Sequence, residues 1–231
     1  MKKNKILVFG ANGLVGKSVV ETLSDSSKVE SVDSSTRKDT DLKNIDEIKN
    51  ILNIKQPDYI INCAAKVGGI YANNTFRAEF LLENLKINLN LFDALKEYPN
   101  VNVVNLGSSC IYPLNAPNPI SESSFLEGKL EPTNSPYAIA KITGIELGRE
   151  INNQYGNKIL NLMPTNLYGP NDNFTDMNSH VIPGLIFRMH QAKIDNDPIF
   201  KIWGTGTPLR EFMFVDDLAN CIEFLIDKDL D

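Results

Sequence analysis

Three glycines at three-residue spacing, in Gly10-Ala11-Asn12-Gly13-Leu14-Val15-Gly16, follow an apolar run at 5–9 without a break and open an amphipathic stretch at 14–23. A strand that turns through glycines into a helix permits a tight bend, close backbone approach and close helix packing. It also aims the helix N-terminus at whatever anion sits in the bend. The arrangement is the one that cradles a dinucleotide pyrophosphate, here with spacing GxxGxxG rather than GxGxxG. It also limits the N-terminal apolar run, which ends at Gly10 and is too short for a membrane span or a signal segment. A cytoplasmic protein with no membrane partner is the expectation.

The alternation continues. Strands are predicted at 5–9, 29–32, 59–63, 101–106 and 158–163, and helices at 14–23, 45–54, 76–97 and 136–155. Strands alternating with helices imply an α/β fold, a Rossmann-like doubly wound parallel sheet whose ligands sit at the carboxyl ends of the strands. Residues 1–163 are read as the dinucleotide-binding domain and 164–231 as a smaller, partial substrate lobe, with 211–228 returning to the first domain. Within that lobe, 164–179 reads as a loop and 181–193 as a helix. Strands are expected at 199–203 and 211–215, with Asp216-Asp217 as the cap of a last helix at 218–226.

A net charge of −6 without a basic stretch argues against a nucleic-acid partner, so an anionic ligand would need specific Arg or Lys residues. Cys63, Cys110 and Cys221 are odd in number and widely spaced, which fits neither a disulfide framework nor a metal site. After the second strand the signals conflict. Asp33 could accept from a free ribose 2′-hydroxyl, whereas Arg37 and Lys38 could hold a 2′-phosphate. Asp41-Leu42 is placed to meet adenine.

The chemistry-bearing residues lie further along. Tyr137 and Lys141 are four apart and share one helix face, so a phenol and an ammonium act on one small volume. With Ser108, Ser109 and Cys110 upstream and His180 downstream, this set reads as carbonyl reduction joined to proton transfer at carbon. His190 carries no motif and is given no role.

Together with the glycine turn, these residues resemble the extended short-chain dehydrogenase/reductase superfamily. Longer strings narrow the resemblance: Ala64-Ala-Lys-Val-Gly-Gly-Ile70, Gly107-Ser-Ser-Cys-Ile-Tyr-Pro113, Glu131 through Lys141, Met163-Pro-Thr-Asn-Leu-Tyr-Gly-Pro170, Asn178-Ser-His-Val-Ile-Pro183 and Trp203 through Glu211. Along essentially its whole length the chain is similar to the GDP-L-fucose synthase family, which implies NADP(H) as cofactor, a GDP-sugar as substrate and a homodimer. By that resemblance Cys110 and His180 are the epimerisation base and acid, Tyr137 protonates the reduced ketone, Ser108 bonds its oxygen, and Lys141 binds the nicotinamide ribose. Cofactor contacts are implied at residues 10–16, at Arg37, Asp41, Leu42, Leu106, Gly107, Ser109 and Lys141, and at Pro164, Thr165, Asn166, Leu167 and His180. Arg188, Trp203 and Arg210 are implied to hold the nucleotide sugar.

Asn12 stands where some family members carry a phosphate-binding arginine, which leaves Arg37 as the main cation. The family pattern also continues past Asp231, so a fragment is one expectation. Sibling dehydratases place an acidic pair after the catalytic hydroxyl residue, and Ser109-Cys110 occupies that place. The remaining alternative is a dinucleotide sensor without catalysis.

Overall fold

Five parallel strands, among the described residues, form the central sheet in the order β2-β1-β3-β4-β5. They are β1 (Asn4–Phe9), β2 (Val29–Ser35), β3 (Tyr59–Asn62), β4 (Asn102–Leu106) and β5 (Ile159–Leu162). The computed structural model describes residues 3–175, 178–202, 204–226 and 228. Helices α1 (Leu14–Ser24), α2 (Ile45–Lys55), α3 (Ile70–Thr75), α4 (Arg77–Leu95) and α5 (Ser135–Tyr155) make the crossovers. The chain leaves β1 to one side for β2 and returns to its other side for β3. That reversal opens a crevice at the strands' carboxyl ends, between Gly10 and Cys63.

The period-2 alternation of β1 explains why both faces must be covered. Ile6 and Val8 enter one core with Val19 and Leu23 of α1. Leu7 and Phe9 enter the other with Ile48 and Leu52 of α2 and Leu91, Phe92 and Leu95 of α4. A two-sided apolar strand is stable only between two helical layers. Local signals set the helix ends: Asn44 accepts from Asp46 N at 3.1 Å to open α2, and Gly156 at φ 80° closes α5.

At the carboxyl ends, Asn62, Asn105 and Asn161 are register partners on adjacent strands. Their side-chain amides link in series, Asn62 Nδ2 to Asn105 Oδ1 at 3.0 Å and Asn105 Nδ2 to Asn161 Oδ1 at 2.9 Å. The ladder satisfies buried amides that would otherwise each cost about 1–3 kcal/mol, and it holds three strand ends in register beneath the crevice.

The last third departs from expectation in three places. Residues 164–179 are not all loop, because β6 (Asn166–Tyr168) pairs in parallel with β7 (Phe212–Phe214). Three residues are too few for a periodic signal, and the partner lies more than 40 positions away. The strand expected at 199–203 is absent over the described residues 199–202, where Ile199 and Ile202 are exposed and lack a partner strand to cover them. Asp216 and Asp217 do not cap the final helix. It starts earlier, as α7 (Val215–Leu225) after Phe214, and both acids sit in its first turn, where they face the positive end of the helix. Before them comes α6 (Val181–Ile194), close to the expected helix. Leu218, Ala219 and Ile222 of α7 share the core of α1, and Ser18 Oγ donates to Asp216 Oδ1 at 2.7 Å. No helix among the described residues is long and apolar enough to cross a membrane.

Candidate active site

The glycine turn is stereochemically committed. Gly10 has φ +74°, and a Cβ there would lie 2.9 Å from the backbone of Ala64. A Cβ on Gly16 would lie 2.1 Å from the Gly10 carbonyl oxygen, so α1 can pack onto the turn only if that position is glycine. No side chain caps the N-terminus of α1. Its first amides and the positive end of its dipole face a cavity of about 650 Å³.

That cavity runs along the sheet's carboxyl edge and collects nearly every residue of interest. Its walls include Gly10 and residues 12–16, Arg37, Asp41 and Leu42, Leu106 to Cys110, Tyr137 and Lys141, Pro164 to Leu167, and His180. Ala11 is not among them: its side chain is in the core, and its N–H donates to Ser35 O at 3.2 Å. Asp33 also turns away from the crevice and pairs with Lys55 of α2 at 2.6 Å. Of the conflicting candidates for reading the ribose, Arg37 lines the cavity at the end of β2, with Ser35 and Thr36, and Asp33 does not. The glycine cradle, the open helix end and the Arg37 guanidinium at the rim fit a phosphorylated dinucleotide.

At the far end, Ser108 opens a 3-10 turn at Ser109–Ile111, its Oγ accepting from Cys110 N at 3.4 Å. The turn brings Cys110 against Tyr137 and Lys141, which α5 presents on one face. Burial pushes the Cys110 thiol up, while the hydrogen bond with Ser108 and the Lys141 charge work against that rise. Burial also raises the Tyr137 phenol, and the neighbouring Cys110 adds to the effect, which favours its protonated form. Lys141 is 6% exposed. Its ammonium donates to Leu106 O at 2.6 Å and lies 5.6 Å from the Tyr137 ring centroid, and burial lowers its pKa to about 8. Cys63 lines the cavity too, and burial pushes its thiol up to about 12 against the opposing Lys141 charge, which disfavours the thiolate.

Several positioning residues carried no motif in the sequence. Asn84 of α4 takes both backbone groups of Lys66, accepting from its N at 2.9 Å and donating to its O at 3.0 Å, which fixes the loop after β3. Gly69 then donates to Asn178 O at 3.2 Å, and a Cβ on it would meet Ser179 O at 2.4 Å, so this corner seats the segment that carries His180. Glu131 accepts from Thr133 N and Asn134 N at 3.0 and 3.1 Å, and Arg77 donates to Pro132 O at 2.9 Å; together they lock the entry to α5 ahead of Tyr137. A mid-helix Asn, a paired Gly and an Arg at a helix start were the available signals.

His180 precedes α6 and is exposed on the cavity wall near Asp172, whose carboxyl is raised by burial. Arg188 and Arg210 do not line the cavity: the Arg188 guanidinium donates to Lys201 O at 3.3 Å and lies 5.7 Å from the Phe200 ring, and Arg210 donates to Leu209 O at 2.7 Å. Trp203 lies outside the described residues. Among the described residues no cluster of His, Cys, Asp or Glu is arranged to hold a metal.

The chain is 46% identical to GDP-L-fucose synthase 1 of Arabidopsis thaliana over 227 residues, covering 98% of this chain and 70% of that protein. It is 45% identical to GDP-L-fucose synthase of Escherichia coli (strain K12) over 219 residues, covering 95% and 68%. Its backbone is similar to the crystal structure of a GDP-L-fucose synthetase from Naegleria fowleri bound to NADP, with a TM-score of 0.84 and 32% identity over 98% of this chain and 74% of that one. The model of the NAD dependent epimerase/dehydratase family matches residues 6–231. Glycine cradle, catalytic face and matched span agree: the chain belongs to the NAD dependent epimerase/dehydratase family.

Proposed function

We propose that the chain carries out the NADPH-dependent 3,5-epimerisation and 4-reduction of GDP-4-keto-6-deoxy-D-mannose to GDP-L-fucose. The observation that carries this reading is the convergence of Ser108, Cys110, Tyr137, Lys141 and His180 on the one cavity that also holds the glycine cradle. The relatives named GDP-L-fucose synthase support the substrate.

The chemistry needs two kinds of proton movement. A 4-ketone acidifies the protons on C3 and C5, so a base on one face and an acid on the other invert each centre. Cys110 and His180 are assigned those roles. The thiol is held above its ordinary range by burial, so Cys110 depends on Ser108 and the Lys141 charge for thiolate character. When bound, NADPH supplies the hydride to C4. Tyr137, held as a phenol, gives its proton to the C4 oxygen, and Ser108 bonds that oxygen. Lys141, fixed to Leu106 O, would hold the nicotinamide ribose, and its charge sets the field around Tyr137.

Gly10, residues 12–16, Arg37, Asp41, Leu42, Leu106, Gly107, Ser109 and 164–167 are assigned to the cofactor, and Arg188, Trp203 and Arg210 to the GDP-sugar. Residues 1–163 would form the cofactor domain and 164–231 the substrate lobe, with 211–228 rejoining the first domain; the core shared by α1 and α7 supports this return. We also assign a cytoplasmic homodimer formed through α4 and α5. Exposed Leu82, Leu89 and Ile139 on their outer faces support that interface.

The test is incubation with GDP-4-keto-6-deoxy-D-mannose and NADPH in deuterated water. Cofactor oxidation together with deuterium at C3 and C5 is the expected result. Cofactor binding with neither signal would leave a sensor, not an enzyme.

A further inference from the structure

At the adenosine end of the cavity stands an ion network that the proposed chemistry does not use. Glu83 of α4 points one carboxylate oxygen at Lys66 Nζ, 2.6 Å away, and the other toward Arg37 NH1 at 3.9 Å. Lys43 contributes its field from the loop after β2, and all four residues line the cavity. Lys66 has little freedom, because Asn84 holds its backbone at both N and O and its ammonium lies 5.9 Å from the Phe80 ring. Arg37 is the most open member, its side chain 68% exposed.

We propose that the Lys66–Glu83 pair sets the preference between NADPH and NADH by fixing the charge that stands behind Arg37. The proposal rests on the dinucleotide site described above. A 2′-phosphate brought to the Arg37 guanidinium would stand within a few ångströms of the Glu83 carboxylate, which by itself would repel it. Lys66 offsets that carboxylate through a direct hydrogen bond, and the same bond keeps the Glu83 carboxyl below its ordinary range. A ribose 2′-hydroxyl carries no charge and is indifferent to the balance. The two residues are therefore specificity determinants that act through Arg37.

The experiment is fluorescence titration of NADPH and NADH into the chain and its variants at fixed ionic strength. Glu83→Gln is expected to tighten NADPH binding about five-fold, the size expected of one partly screened unit charge near a phosphate, and to leave NADH within two-fold (~). Lys66→Met is expected to weaken NADPH about five- to ten-fold in the unaltered background but less than about two-fold in Glu83→Gln, because without Lys66 the Glu83 carboxylate is free to pair with Arg37 and compete with the phosphate, a competition that Glu83→Gln abolishes. Equal changes for both cofactors in Glu83→Gln, or the same Lys66→Met penalty in both backgrounds, would overturn the proposal while the dinucleotide site stands. Failure of the unaltered chain to bind either cofactor would overturn the site and the proposal together.

Discussion

Lys141 shows most clearly how a residue gains function from its surroundings. In water its ammonium would stay charged past pH 10, but burial against Leu106 lowers its pKa to about 8. A folded-state pKa below the unfolded one means that the unfolded chain binds more protons between those values. Stability attributable to this group is therefore lowest below about pH 8 and rises as pH climbs toward the unfolded pKa, by at most about 3 kcal/mol. Lys141→Met removes the term. The stability of the variant relative to the unaltered chain, from urea midpoints at pH 7.5 and 9.5, should be more favourable at the lower pH, and a gap independent of pH would contradict the burial argument. The closeness of Lys141 to Tyr137 was legible in YxxxK spacing, whereas its bond to a strand carbonyl was not, because Leu106 lies 35 positions away. Asp33 illustrates the converse. It lies where a ribose reader is expected, and only the fold shows that α2 offers Lys55 to take it out of the crevice.

At the scale of elements, the glycine turn and α1 behave as one unit. Gly16→Ala would push a methyl into the Gly10 carbonyl, a backbone contact that no rotamer relieves. A destabilisation of about 1–3 kcal/mol is expected, with NADPH affinity falling at least about ten-fold. Chemical denaturation and calorimetric titration would check it, and unchanged affinity would mean that α1 does not shape the pyrophosphate cradle. Asn84→Ala tests the loop after β3 in the same way. Losing both bonds to Lys66 leaves two backbone groups unpaired and should cost about 2–4 kcal/mol, read as a lower urea midpoint. The long elements were legible because 3.6- and 2-residue periods repeat in them many times. The three-residue β6 was not, since it carries no period of its own and is defined by its pairing with β7, the strand expected at 211–215.

For the whole molecule, the informative fact is that the final described helix belongs to the first core. Ile222 of α7 is fully buried beside Val19 and Leu23 of α1. Ile222→Ala should therefore cost about 2–5 kcal/mol in a single cooperative transition, as a substitution within β1 would. A loss under about 1 kcal/mol would mean that α7 is not part of this core. A return of 211–228 to the first domain was expected, but not which of its two helical layers α7 would cover. Chain order alone does not disclose that a helix after residue 214 packs on one that begins at residue 14.

The proposed reaction divides two chemistries between separable residues of one cavity: proton exchange through Cys110 and reduction through Tyr137. Solvent deuterium at C3 and C5 of GDP-4-keto-6-deoxy-D-mannose, followed alongside NADPH oxidation in Cys110→Ser and Tyr137→Phe, tests it most directly. Tyr137→Phe should keep deuterium entry while reduction falls at least about a hundred-fold. Cys110→Ser should lose deuterium entry with NADPH binding intact. Equal loss of both signals in both variants would contradict the division of labour.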